Sequence, residues 1–249
     1  MCHATAPAAQ ERQQQEAPTT RYTRAVKTKP KFGLAAGVWT TVLVIASVGA
    51  FLLHSTVKSQ YAERSFARAK ELLKQEKFSE AFPLLAEAAS GGDAKAALYL
   101  GHAYENGLGT AQNYADARRW YDKAAAAGNS DAMRDLGVLY QTGLGGPQNY
   151  AQARQWYEKA AAAGNSNAMR DLGVLYQTGL GGPQNYAQAR QWYEKAAAAG
   201  NSDAMRDLGV LYQTGFGVPQ NYAQARQWYE KAAAAGNSNA LDNLKTVPK

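Results

Sequence analysis

The sequence is poor in the residues that most site chemistry needs. It has one cysteine, Cys2, among 249 residues, so no disulfide can close within the chain. Its three histidines, His3, His54 and His102, are scattered, and a metal centre needs several ligands in suitable geometry. No metal or cofactor site is expected. Nucleophilic catalysis needs a nucleophile, a base and an orienting group within reach, and His102 has no evident partner in the sequence. Asp135 beside Arg134 and Glu158 beside Lys159 read as solvated helix faces, not as catalytic pairs. The GLGGPQN stretches are followed by no Lys-Ser/Thr and preceded by no strand, which excludes a phosphate loop. No catalytic residue is expected, and the chain is not read as an enzyme. A basic stripe is also missing. Lys and Arg number 27 against 20 Asp and Glu, but residues 1–31 carry six basic and two acidic groups, and 54–249 carry 21 and 18. The near-balance after residue 54 argues against nucleic-acid binding.

What the sequence has is repetition. Asn129 to Gly164 is 36 residues long and recurs as Asn165 to Gly200, where only Asp131 changes, to Asn167. It recurs again as Asn201 to Gly236, which differs from its predecessor at Asp203, Phe216 and Val218. A looser copy, Asp93 to Gly128, precedes them, so four units cover 144 residues. Such a period marks a solenoid.

Within the second unit, Asn129 and Ser130 can cap a helix whose apolar positions are Ala132, Met133, Leu136 and Tyr140. Gly143 can end it in the left-handed conformation. Asn149 can cap a second helix, with Gln152 placed as in a capping box. The inner face of that helix is expected at Tyr150, Ala153, Trp156 or Tyr157, Ala160 and Ala161. Small residues such as Gly137, Ala153 and Ala160 allow close helix approach. One such hairpin cannot bury its own apolar face, so neighbours must stack.

Upstream, 1–31 is expected to be a disordered basic tail, being rich in Ala, Pro, Gln and Thr. Phe32 to Leu53 carries no charge, and as a helix it would reach about 33 Å, enough for a hydrocarbon core. A transmembrane helix is expected over 32–54. Five basic residues from Arg21 to Lys31 precede it, and Lys58, Arg64 and Arg68 follow, so the positive-inside rule puts the N-terminus in the cytoplasm. Two other readings remain for this stretch, a signal peptide cleaved near Val48-Gly49-Ala50 and a buried helix. Residues 55–92 read as a capping hairpin, with Tyr61, Ala62, Phe66, Ala69, Leu72 and Leu73 on its first helix. Ser79 is expected to cap its second helix, with Pro83 near the first turn. The four repeats occupy 93–236, and 237–249 is a closing half-repeat with Leu241 and Leu244.

The pattern Ala132, Leu136, Gly137, Tyr140, Gly143, Gly145, then Ala153, Trp156, Tyr157, Lys159, Ala160, Ala161, resembles Sel-1-like repeats, relatives of tetratricopeptide repeats with a longer inter-helix turn. The resemblance implies an all-α solenoid of helical hairpins whose first helices line a concave groove. It also implies a scaffold for a protein or peptide partner, placed by the membrane segment in the bacterial inner membrane with the repeats in the periplasm. Some Sel-1-like proteins are cysteine-rich and assigned β-lactamase activity, so an envelope enzyme or cell-wall peptide binder is the alternative. This chain lacks their paired cysteines. On the groove-lining helices the expected contact residues are Arg134, Val138 and Gln141, with Arg170, Val174, Gln177, Arg206, Val210 and Gln213; the other reading is that Val138 packs on the next repeat and the face binds nothing. Exposed Arg-Asp neighbours contribute on the order of 0 to 1 kcal/mol. The three arginines are therefore expected to be dispensable for folding.

Overall fold

The computed structural model describes residues 35–248, and of 35–54 the backbone alone. The tail expected over 1–31 lies outside the described residues. The chain divides into two compact units, Met1–Ala50 and Phe51–Lys249. The described part of the first is helical backbone from residue 35. Among the fully described residues no helix is long and apolar enough to cross a membrane. The anchor expected over 32–54 lies outside them.

The described residues form eleven α-helices and no strand. Helix α1 (Ala35–Lys74) and α2 (Phe78–Ser90) lead into four hairpins. These are α3 (Ala94–Asn106) with α4 (Tyr114–Ala126), α5 (Ser130–Thr142) with α6 (Tyr150–Ala162), α7 (Ser166–Thr178) with α8 (Tyr186–Ala198), and α9 (Ser202–Thr214) with α10 (Tyr222–Ala234). Helix α11 (Ser238–Thr246) closes the stack. From α2 onward each helix packs on its sequence neighbours, so the core runs as a chain of clusters rather than one centre.

The repeat explains each element. Asn129 Oδ1 accepts from the Ala132 amide, and Gly143 ends α5 at φ 76°. Asn149 Oδ1 accepts from the Gln152 amide at the start of α6. The end of α6 is a Schellman arrangement, in which the Asn165 amide reaches the Ala160 carbonyl and the Gly164 amide that of Ala161. Asn165 then does two jobs. Its Oδ1 caps α7 through the Ala168 amide, while its Nδ2 donates to Asp131 Oδ1 of the preceding repeat at 2.8 Å. Asn201 repeats this on Asn167, and Asn237 on Asp203. Asp131 and Asn167 both offer an acceptor oxygen, which is why the repeats tolerate that difference.

Gly137 sets the spacing within the hairpin. A Cβ there would sit 2.4 Å from Cε1 of Tyr157, the largest fully buried side chain of its repeat. Tyr157, not Trp156, is thus the inner aromatic, and Trp156 lies half-buried with the Lys159 ammonium 4.0 Å from its ring centre. Between repeats, Arg118 of α4 stacks on Tyr140 of α5 at 3.7 Å, and Arg154 on Tyr176 at 3.9 Å. The last repeat differs. Gly182 faces Arg154, whereas Val218 stands at its equivalent, and Arg190 pairs with Glu194 at 3.2 Å instead.

The end caps depart from expectation in three places. Helix α2 starts at Phe78 after Lys77, so Ser79 lies inside the helix, and Pro83 is its sixth residue rather than part of the first turn. The expected Ala62, Phe66 and Ala69 are buried in α1, but Tyr61 is exposed and Ser65 is buried as well. Leu241 is exposed, and Val247, at the position equivalent to Leu211, is buried.

Candidate functional site

The first helices α5, α7 and α9 carry all nine residues expected to meet a partner. The structure gives each of them a task inside the fold. Arg134 Nε donates to Asp171 Oδ2 at 2.8 Å, and Arg170 Nε to Asp207 Oδ2 at 2.8 Å, each across a repeat boundary. The carboxylates are nearly buried, with 15% and 10% of their side chains exposed. Burial alone would lower the Arg134 pKa, but the charge and hydrogen bond of Asp171 more than reverse this, and the net shift is upward. Arg206 has no such reach, because Asn243 stands where the next aspartate would be, and it pairs with its own neighbour Asp207 at 2.6 Å. Arg134 and Arg170 are therefore inter-repeat clamps as well as surface groups, a role the expectation of dispensability left out, while Arg206 pairs inside its own repeat. The pairing with Asp135 anticipated for Arg134 is the longer one, at 3.7 Å.

The glutamines are engaged as well. The buried hydroxyl of Tyr157 donates to Gln141 Oε1 at 2.9 Å, that of Tyr193 to Gln177 Oε1 at 2.8 Å, and that of Tyr229 to Gln213 Oε1 at 2.6 Å. Burial first, and the charge of Asp171 next, push the Tyr157 hydroxyl above its ordinary pKa. The valines are half-buried rather than an outward stripe. Val138 packs against the core of the next repeat, as do Val174 and Val210. Asp131 and Asn167 of the same face are exposed.

The first repeat is built differently at the same positions. Leu98 and Tyr99 replace the Arg-Asp pair, and His102 replaces valine. His102 has a partner the sequence hid. Its Nε2 lies 2.8 Å from Oδ2 of Asp135 in the second repeat. The hydrogen bond to Asp135 raises the His102 pKa, burial opposes it, and the charges of Asp135, Glu105 and Asp131 add to the rise. The His102 ring also sits edge-on to Tyr121, 5.5 Å between centres. The Tyr121 hydroxyl donates to the Glu105 carboxylate, which stands where later repeats have glutamine.

Two hollows open on this face. One, of about 390 Å³, crosses α3, α5 and α7, from Leu98, Tyr99 and His102 through Asp131 and Asp135 to Asn167. The other, of about 460 Å³, lies between the capping hairpin and α3 and is mainly apolar. Leu73, Phe78, Leu85, Tyr99, Ala103 and Leu108 line it, with His102 and Asn106 as its polar groups. Tyr99 and His102 belong to both, so the hollows adjoin. No cluster of metal-ligating side chains is found among the described residues.

A Sel1 repeat model matches four times, over residues 94–129, 130–165, 166–201 and 202–237. The chain belongs to the Sel1 repeat family. A Sel1 repeat protein of Oxalobacter formigenes is similar at 34% identity over 72% of each chain, with a TM-score of 0.66. A protective antigen of uropathogenic Escherichia coli with the same repeat fold is 33% identical, with a TM-score of 0.69. That match covers 78% of this chain and 42% of the antigen. An immunity protein of Pseudomonas aeruginosa, 23% identical over 72% of this chain and 67% of its own, shares the fold at a TM-score of 0.52. A comparison with curated proteins found no match. Within the family frame, the Gly137-Tyr157 contact and the Asn and Arg staples give structural roles to several of the repeated residues, and in α3 the first repeat departs from them at Leu98, Tyr99 and His102.

Proposed function

We propose that this Sel1 repeat chain is a non-catalytic scaffold that holds a protein or peptide partner on the face of its first helices. The observation that carries this reading is the hollow that crosses α3, α5 and α7, because one extended ligand could touch three repeats at once. The residues Arg134, Val138 and Gln141 and their equivalents border that face as its framework, and contact with the partner falls on their exposed atoms and on the variable positions beside them. The finer part of the proposal is placement. The uncharged run Phe32 to Leu53, with five basic residues before it and three after, favours a single membrane span with a cytoplasmic N-terminus. The relatives named above are bacterial, which favours the inner membrane and a periplasmic solenoid.

Two measurements test the two parts. A reporter active only outside the cytoplasm, fused after Lys249, is expected to be active, and activity of a cytoplasm-only reporter at that place overturns the placement. Photo-crosslinkers at Asp131 and Asn167, on the accessible part of the face, are expected to trap a defined partner in membranes. Trapping only from positions on the second helices, such as Gln155 and Gln191, overturns the face.

A further inference from the structure

The apolar hollow between the capping hairpin and α3 is lined in part by Tyr99 and His102, two positions at which the first repeat breaks the pattern, and Leu98 beside them lines the adjoining hollow. Where the second repeat has Arg134, Asp135 and Val138, the first has Leu98, Tyr99 and His102. Tyr99 is 38% exposed and leans edge-on to Phe66 of α1, with ring centres 5.5 Å apart. The space, about 460 Å³, falls within the roughly 300–1,000 Å³ typical of ligand pockets. Its lining supplies few polar groups, so the matching ligand part is a large apolar side chain. Beside it the adjoining hollow is acidic. Asp131 and Asp135 line it; Asp135 already meets the His102 imidazole at 2.8 Å and Arg134 at 3.7 Å, and Arg134 is held by Asp171 at 2.8 Å, so Asp131 is the carboxylate of the shelf that carries no ion pair among the described residues. Asp131 is exposed. A cation arriving on that shelf therefore meets an excess of negative charge.

We infer that this hollow anchors a partner segment carrying a phenylalanine-sized or leucine-sized side chain next to lysine or arginine. The apolar side chain enters between α2 and α3, and its basic neighbour lies toward Asp131 and Asp135. The continuity of the two hollows through Tyr99 and His102 favours an extended peptide over a small apolar molecule, because a small molecule would leave the acidic shelf unused. This rests on the scaffold reading and sharpens it, placing the anchor at the end of the solenoid that follows α1.

The test titrates the full-length chain in lipid nanodiscs with four fluorescent nine-residue peptides on a Gly-Ser background. One carries phenylalanine flanked by lysines, one phenylalanine flanked by glutamates, one alanine flanked by lysines, and one phenylalanine flanked by serines. The lysine-flanked phenylalanine peptide is expected to bind at least about tenfold more tightly than the others. The variant L98R/Y99D/H102V gives the first repeat the residues of the second at these three positions, and is expected to keep its helical circular dichroism and lose the preference. If that variant fails to fold, L108Q on the half-buried lip serves instead. Equal binding of the lysine- and glutamate-flanked peptides, no binding of any, or preference unchanged in a folded variant overturns the inference. Toluene competing as well as the best peptide does the same, since it reassigns the hollow to small apolar ligands. The scaffold reading fails separately, through the crosslinking experiment. A partner trapped equally by wild type and by the triple variant leaves the scaffold standing and removes this anchor.

Discussion

The junction between the second and third repeats and the junction between the first and second share a backbone plan but differ in chemistry. At the former, Arg134 reaches forward to Asp171. At the latter, leucine stands in the arginine's place, and His102, one turn further along the same helix face, reaches Asp135. The acceptor is kept and the donor moves by four residues. At these two junctions the same acceptor is met by different donors, so the contact does not need a guanidinium. Where a guanidinium is used, the charge is permanent and the clamp is insensitive to pH. Where an imidazole is used, the junction becomes titratable and space opens beside it.

The sharpest way to break the regular part of this comparison is to attack the contact that all four repeats share. A Cβ at Gly173 would lie 2.3 Å from Cε1 of the buried Tyr193. Gly173→Val is expected to destabilise by about 3 kcal/mol through overpacking. Because stability in a solenoid is shared between neighbours, urea unfolding should also lose its single step, with the flanking repeats melting apart. The equivalent position in α11 is Lys245, which is exposed and followed by no tyrosine. Lys245→Ala is expected to stay within about 0.5 kcal/mol of wild type. A single unchanged transition for the glycine variant would mean that Tyr193 has room to move.

A smaller effect separates the arginines from one another. Arg134→Gln leaves Asp171 nearly buried without its inter-repeat donor, whereas Arg206→Gln leaves Asp207 still bound by Arg170. The clamps are partly exposed, so the loss lies between the values for surface and buried pairs. The first variant is expected to lose about 1 to 2 kcal/mol and the second about 0 to 1 kcal/mol. Equal losses in chemical denaturation would contradict the forward reach of Arg134.

These distinctions mark the limit of what the sequence makes legible. The period, the asparagine caps and the glycine stops are local signals, and each is found in the expected role at Asn129, Gly143 and Asn149. What periodicity leaves open is how far along one helix the next repeat lies. Asp135 is adjacent to Arg134 in sequence and Asp171 is 37 residues away, yet the stacking offset gives the latter the shorter contact. The same offset turns Val138 onto the next repeat and hides the partner of His102. In α1 the expected inner line included both Tyr61 and Ala62, and of the two only Ala62 is buried, because a helix covered on one side by a short hairpin needs only a narrow stripe. The apolar hollow escaped altogether, since it is made by residues from 73 to 85 and from 99 to 108 that carry no shared motif.

The mildest effect expected is the dependence of the first junction on pH. His102 is raised above its ordinary value of 6.5, first by its hydrogen bond to Asp135. A group whose pKa rises on folding is bound more tightly as the protonated form in the native state. Its contribution is complete below the unfolded value and disappears as pH climbs through the higher folded value. The first junction should therefore be firmer at pH 6 than at pH 8, whereas the Arg134–Asp171 junction should not change over that range. His102→Val installs the residue that the other repeats use and removes the titrating group. Melting temperatures of wild type and variant at the two pH values isolate the effect, since His102 is the one titratable group that differs between the two chains. Wild type should lose more of its stability between pH 6 and pH 8 than the variant. Because 41% of the His102 side chain is exposed, added salt should narrow the difference. An identical pH response in both chains would show that Asp135 holds the neutral imidazole as well as the charged one, and the contrast between the two junctions would then be one of shape alone.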